Sequence, residues 1–297
     1  MTPSSTLPNP FTIVARYSAK SLGLNEPSDL AIGPDGKLYV TDAGQRVTVI
    51  SPEGEALRRW GGPGKGPGKF SFIEADPMGP GVASGIVVGI DGRVYVADSG
   101  NARVQVFTPQ GRFLRQFGSF GSGKGQFQLP GGLVVDGDGN AYVADGQKET
   151  LSKFSSSGAF EWQIGGPSEG DPDLIGHFHL AGVDSHGRIV MGNDDTQRIL
   201  YIDARGNKVD VFRSPEDFRE GSCDVTVDAA GFTYVNSCQD PLLSPHYTEV
   251  FDRTHHLVGA WWPSPLGWAP RFGPNGEIFT LGEDGSVLRL RIALPGG

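Results

Sequence analysis

Six histidines and two cysteines are the soft ligands and nucleophiles available to this chain. His177 and His179 flank Phe178, and His246 lies in a long polar segment. Three neutral imidazoles brought to one face could hold zinc, although His177-Phe178-His179 alone is a weak signal. Asp29 and Asp224 occupy equivalent places in two repeated segments. With His179 they make a donor set that a hard cation such as Ca2+ could use. Hydrated carboxylates in a wet channel fit the same residues. If such a site were catalytic, Asp29, Asp224 and His179 would be metal ligands, and His177 or His246 a further ligand or an acid/base group. No Gly-x-Ser-x-Gly elbow, His-Glu-x-x-His motif or Cys-x-x-Cys pair is present, and no Ser/His/Asp triad can be assembled from the spacing. Catalytic residues are therefore not assigned.

The elements that must position these groups come from one unit repeated along the chain. Ser28–Asp42 recurs as Ser84–Asp98 and Gly131–Asp145, with weaker copies at His179–Asn193, Cys223–Ser237 and Trp268–Gly282. The anchoring glycines are Gly36, Gly92, Gly139, Gly187, Gly231 and Gly276, spaced 44 to 56 residues apart. Each copy reads as an apolar strand, a tight turn closed by glycine, an alternating strand, a third strand, a second turn and a fourth strand. Forty-five glycines and 22 prolines, with no capped helical period of useful length, favour sequential antiparallel pairing. The expected fold is an all-β, six-bladed β-propeller of four-stranded blades. The sixth copy runs out before its fourth strand. Phe11–Ser18 has the pattern to replace it and close the ring. Residues 1–10 read as a disordered Pro/Ser/Thr-rich segment, and 11–297 as a single propeller domain.

The segments Tyr95–Phe107 and Gly121–Asp136 resemble the NHL repeat almost letter for letter. The resemblance is strong in blades one to three and weaker in four to six. It implies a six-bladed NHL propeller, a scaffold that serves in binding, in sensing and, in some relatives, in catalysis. Amidating lyases, streptogramin lyases and gluconolactonase-like hydrolases are propeller enzymes of this kind, but the carboxylate/Asn set of the lactonase group is not visible here.

In this frame the start of each first strand lines the central channel, where Asp29, Asp224 and His179 stand out among small or neutral neighbours. The loops entering blade four (165–178) and joining strands two and three of blade five (236–249) share one face with 261–268. Loops on a rigid scaffold often carry recognition. His177, His179, Asp240, His246, Tyr247, Trp261, Trp262 and Trp268 make up a candidate aromatic, partly acidic binding face. Tryptophans plugging gaps between irregular blades account for the same residues. Gly118–Gly125 nearly matches a phosphate-binding loop. It lacks the Ser or Thr after Lys124 and precedes a strand, so it reads as an interblade linker, as does 64–70. Asp42, Asp98 and Asp145 at strand ends, and Arg46, Arg103 and Arg198 at strand starts, recur in several blades and read as structural. Cys223 and Cys238 bracket a hairpin at Ala229–Gly231. Thr226 set opposite Val235 would bring them within disulfide reach.

A net charge of −9 argues against a general nucleic-acid binder, and no apolar run reaches membrane-spanning length. The expected partner is a protein, peptide or glycan, on a monomeric propeller. The expected cofactor, if there is one, is Ca2+ or Zn2+ in the channel. The predicted disulfide and the Pro-rich start favour an extracytoplasmic or secreted location. Two functions compete: a recognition scaffold using the loop face, and a metal-dependent lyase or hydrolase, amidating-lyase-like or streptogramin-lyase-like, with its site in the channel.

Overall fold

The computed structural model describes residues 8–74, 82–83, 85–167, 170–176, 178–193, 195–213, 222–237, 247–261 and 264–294, with backbone alone for Ile73, Glu74, Val82, Ala83, Ser222, Cys223, Ser237, Tyr247 and Trp268. These residues form six four-stranded antiparallel sheets and one two-stranded hairpin, Ile73–Glu74 with Val82–Ala83. Each sheet is one blade. Blade one runs Pro27–Ile32, Leu38–Asp42, Arg46–Ile50 and Ala56–Gly61. The first strands of blades two to six are Ile86–Val88, Pro130–Val135, Phe178–Val183, Ser222–Val227 and Trp268–Phe272. No helix among the described residues is long and apolar enough to cross a membrane.

The ring closes as the sequence pattern requires. Phe11–Tyr17 pairs antiparallel with Val287–Ile292, from Phe11 opposite Ile292 to Tyr17 opposite Val287, and becomes the outer strand of blade six. A single helical turn, Ala19–Leu22, then carries the chain to blade one, capped by Ser18 and ended by Gly23 at φ 62°. Pro8–Pro10, assigned from the sequence to a disordered segment, have defined partners. The Pro8 carbonyl accepts from the Trp261 indole N–H at 3.1 Å, and the Pro10 carbonyl from the Ala293 N–H at 3.0 Å.

Six apolar clusters hold the ring, one between each pair of neighbouring blades. Tyr39, Phe70, Phe72 and Val94 lie between blades one and two. Tyr95, Phe127, Leu133 and Phe154 lie between two and three. Leu30, Leu38, Phe279 and Val287 close the gap between blades one and six. Burying each such side chain contributes roughly 1.5–3 kcal/mol. The strand-two tyrosines Tyr39, Tyr95, Tyr142 and Tyr234 are almost fully buried, and two of their hydroxyls donate to turn carboxylates, Tyr142 to Asp136 and Tyr234 to Asp228, each at 3.0 Å. The six turn glycines sit at φ 75° to 86°, a conformation that a β-carbon would strain.

The phosphate-loop look-alikes are interblade linkers of one design. Pro63 bridges Phe70 and Phe120 bridges Phe127 in parallel, with Phe70 and Phe127 fully buried. The recurring aspartates tie linker to blade. Asp98 accepts from the Ser71 N–H at 2.7 Å and from Arg103 Nε at 2.8 Å. Asp145 accepts from the Gln128 and Leu129 N–H groups. Arg46 pairs with Asp42, and Arg198 with Asp173 rather than with a residue of its own hairpin.

Candidate functional site at the channel mouth

The first strands converge on the channel axis, and most begin with a register shift. Shifts fall between Pro27 and Asp29, Pro130 and Leu133, Leu180 and Gly182, Ser222 and Asp224, and Trp268 and Arg271. Bulges bend a strand and re-aim its side chains. The one in blade six holds Ala269 at φ 50°, a left-handed conformation that costs an alanine roughly 1–2 kcal/mol. Beyond it, Arg271 sits opposite Phe279. That places it in the column of Ala31, Val87, Val134, Gly182 and Thr226.

This arginine completes a charged cluster. Its Nη2 donates to Asp29 Oδ1 at 3.0 Å, its Nη1 lies 3.7 Å from Asp224 Oδ2, and Nη1 also donates to the Pro270 carbonyl. Asp29 accepts in addition from the Ile86 N–H at 2.9 Å and the Leu30 N–H at 2.8 Å. Blades one, two, five and six are thereby joined through three side chains. The carboxylates are 14% exposed and the guanidinium 26%, so the cluster is sunk in the wall yet open to the channel.

Burial dominates the electrostatics. It pushes Asp29 above the ordinary carboxylate value, against the opposing pull of Arg271 and the N–H groups of Ile86 and Leu30. It pushes Asp224 up to about 6, opposed by Arg271, His179 and the Ala269 N–H, and reinforced by Asp29. For Arg271, burial acts against the charge, but the two aspartates outweigh it and its pKa rises. Asp224 thus exchanges its proton near neutrality beside a permanently charged guanidinium.

The wall opposite is tight. A β-carbon on Gly85 would lie 1.9 Å from the Gly131 carbonyl oxygen, and one on Gly132 within 3.3 Å of Leu180. The small residues of blades two and three answer this close approach.

Of the residues picked out from the sequence, Asp29 and Asp224 meet on Arg271, and His179 is near enough to Asp224 to lower its pKa. The place between the carboxylates assigned there to a metal holds the Arg271 guanidinium, and no group of three or more His, Cys, Asp or Glu side chains among the described residues is arranged to hold a metal ion. Trp261 is buried at 2% exposure against Phe11, with ring centroids 6.0 Å apart. It seals the N-terminal strand to blade five and offers no exposed face to a partner. His177, Asp240, His246, Trp262 and Cys238 lie outside the described residues, and for Tyr247, Trp268 and Cys223 no side chain is described. The hairpin register behind the disulfide expectation is one residue different. Thr226 faces Tyr234, not Val235, and a register shift between Ser222 and Asp224 sets Cys223 in a bulge. The loop entering blade four is clamped to its blade: Lys208 Nζ lies 2.5 Å from Asp171 and 2.6 Å from Asp173, and the Asn193 side-chain amide donates to the Asp173 and Ile175 carbonyls.

Arg271 was the functional group missed. Its signal was a lone charge in an otherwise apolar or small column of first strands, hidden because the column was drawn on the first residues of each strand, ahead of the bulges.

Comparison with known proteins adds a repeat family and a set of fold neighbours to this geometry. The family model of the NHL repeat matches residues 82–107, across the first three strands of blade two. The chain is a six-bladed propeller with an NHL repeat in its second blade. Among curated proteins no sequence match is found. Solved structures match over nearly the whole ring. A streptogramin B lyase is 12% identical with a TM-score of 0.61, over 95% of this chain and 98% of that one. A catalytically inactive virginiamycin B lyase from Staphylococcus aureus with quinupristin is 12% identical with a TM-score of 0.62, over 95% and 100%. The Cps50 β-propeller domain from Myceliophteria thermophila is 10% identical with a TM-score of 0.61, over 96% and 100%. At such identity the likeness is one of fold alone.

Proposed function

We propose that this NHL propeller is a recognition scaffold that takes a polar ligand, a peptide or glycan segment, at the mouth of its central channel. The observation that carries this reading is the fixed guanidinium between Asp29 and Asp224, with His179 beside them. The cluster offers donors and acceptors at set separations, held by the first strands of blades one, five and six. Because the ring holds these groups, ligand binding requires little ordering of the site.

The test is binding to peptide and glycan arrays by the wild type and by His179→Ala and Asp224→Asn. Signals seen with the wild type should fall by at least about tenfold in both variants, with the circular dichroism of the folded parent. Array binding indifferent to both substitutions would overturn the assignment to the mouth.

A second reading has its own support. A carboxyl group titrating at about 6 is suited to proton transfer, and two of the fold neighbours are lyases by name. In a lyase-like reaction Asp224 would move the proton and Arg271 would hold an oxygen of the substrate. Calcium or zinc on Asp29, Asp224 and His179 would have to displace the guanidinium, so these residues suit an arginine clamp better than a metal. Elemental analysis of protein purified without chelator tests that point.

A further inference from the structure

Beyond the mouth the channel changes character. Ile32, Val88, Val135, Val183, Val227 and Phe272 stand at the last paired position of each first strand, opposite Leu38, Val94, Ala141, Ile189, Thr233 and Ile278. They form one apolar ring with a member from every blade, and all six are half-buried. The ring and the layer above it line a cavity of about 350 Å³ that is open to solvent, and whose polar side chains are Arg271 and Thr226. Its volume falls at the lower end of the small-ligand range.

We propose that this compartment is a binding site for a neutral lipophilic molecule bearing one oxygen acceptor, a long-chain ketone or alcohol in chemical class. The apolar ring takes the chain, and Arg271 at the mouth end of the cavity takes the oxygen. Its guanidinium has five N–H groups. Its bonds to Asp29 and the Pro270 carbonyl and its approach to Asp224 leave donors over. The head group is neutral because of the charges flanking Arg271. Two carboxylates at 3.0 and 3.7 Å repel an anionic head, and an ammonium head has no lone pair to accept from the guanidinium. Affinity comes from burying the chain, and orientation from the single charged donor. This site goes beyond the polar ligand at the mouth: it shares Arg271 with that cluster and adds the apolar ring below it.

The experiment is calorimetric titration of the full chain at pH 7.5 with four ten-carbon probes: 2-decanone, 1-decanol, decanoate and decylamine, all below micelle-forming concentrations. The expected result is saturable one-to-one binding of the ketone and the alcohol, with decanoate and decylamine weaker by at least about tenfold. Val135→Phe and Val183→Phe each fill the ring from a different blade. Each should reduce ketone binding by at least about tenfold while circular dichroism remains that of the parent. His179→Ala should leave ketone binding unchanged, which separates this site from the mouth. Absence of saturable binding by all four probes, preference for a charged head, or undiminished ketone binding in a folded ring variant would each overturn the proposal. Should either ring variant fail to fold, the head-group order in the wild type and the other variant still decide.

Discussion

Replacing Asp224 by Asn separates the cost of a buried charge from the benefit of its pairing. In the folded protein Asp224 titrates at about 6 against an ordinary 3.8, with burial the largest cause. The shift of roughly two units corresponds to about 3 kcal/mol at about 1.4 kcal/mol per unit. The sign follows from proton counting. Between about pH 4 and 6 the folded state holds a proton that the unfolded chain has released, so this group's stabilising contribution is complete below pH 4 and is lost as pH rises through 6. Asparagine cannot titrate. The unfolding free energy of Asp224→Asn minus that of the wild type should therefore grow by about 3 kcal/mol between pH 4 and pH 7, and level off above. Urea unfolding at half-unit pH intervals measures the difference, in which the titration of all other groups largely cancels. A difference that stays constant over that range would refute the reasoning, because it would mean that Arg271 fully compensates the buried charge.

Four further outcomes follow from the same geometry. Arg271→Met leaves two carboxylates facing one another without a cation and should destabilise the ring by about 3–5 kcal/mol at pH 7, with much of the loss recovered when Asp29 and Asp224 are also changed to Asn; calorimetric melting measures both. Gly85→Ala pushes a methyl group into the Gly131 carbonyl and should cost about 3 kcal/mol or more, whereas Gly137→Ala, which meets nothing within 4 Å, should change stability by less than about 1 kcal/mol. Ala269→Gly relieves the left-handed strain at φ 50° and should raise stability by about 0.5–1 kcal/mol in the same assay. Thiol titration of unreduced, denatured protein is expected to find neither Cys223 nor Cys238 free, and two reactive thiols would remove the disulfide expectation.

The ring was legible because its signals are local and repeated. A glycine at each turn, a tyrosine or aliphatic residue in each second strand and a buried aspartate at many strand ends needed no long-range information. Closure was legible because one repeat lacked a strand and Phe11–Tyr17 had one to give. The site was only half legible. Asp29, Asp224 and His179 share the mouth because the period brings equivalent positions to one axis. Arg271 did not show because a bulge moves a residue across the register without altering composition, and Ala269 gives no sign in sequence of its left-handed backbone. The same one-residue ambiguity put Val235 rather than Tyr234 opposite Thr226. Trp261 read as a surface anchor because a tryptophan's burial depends on what packs over it, here Phe11, from the far end of the chain.

The pairing of Phe11 with Ile292 also gives the protein a timetable. A ribosome adding about 5–20 residues per second takes roughly 15–55 s to pass from one partner to the other. Through that interval the first strand made has no ladder to join, while blades one to five assemble from local contacts. Its outward side chains Ile13 and Val14 remain 42% exposed even in the finished ring, and an unpaired edge of this kind is a template for the wrong strand. The seam that completes the propeller is thus the interval in its synthesis when a neighbouring nascent chain can most easily take the place of its own terminus.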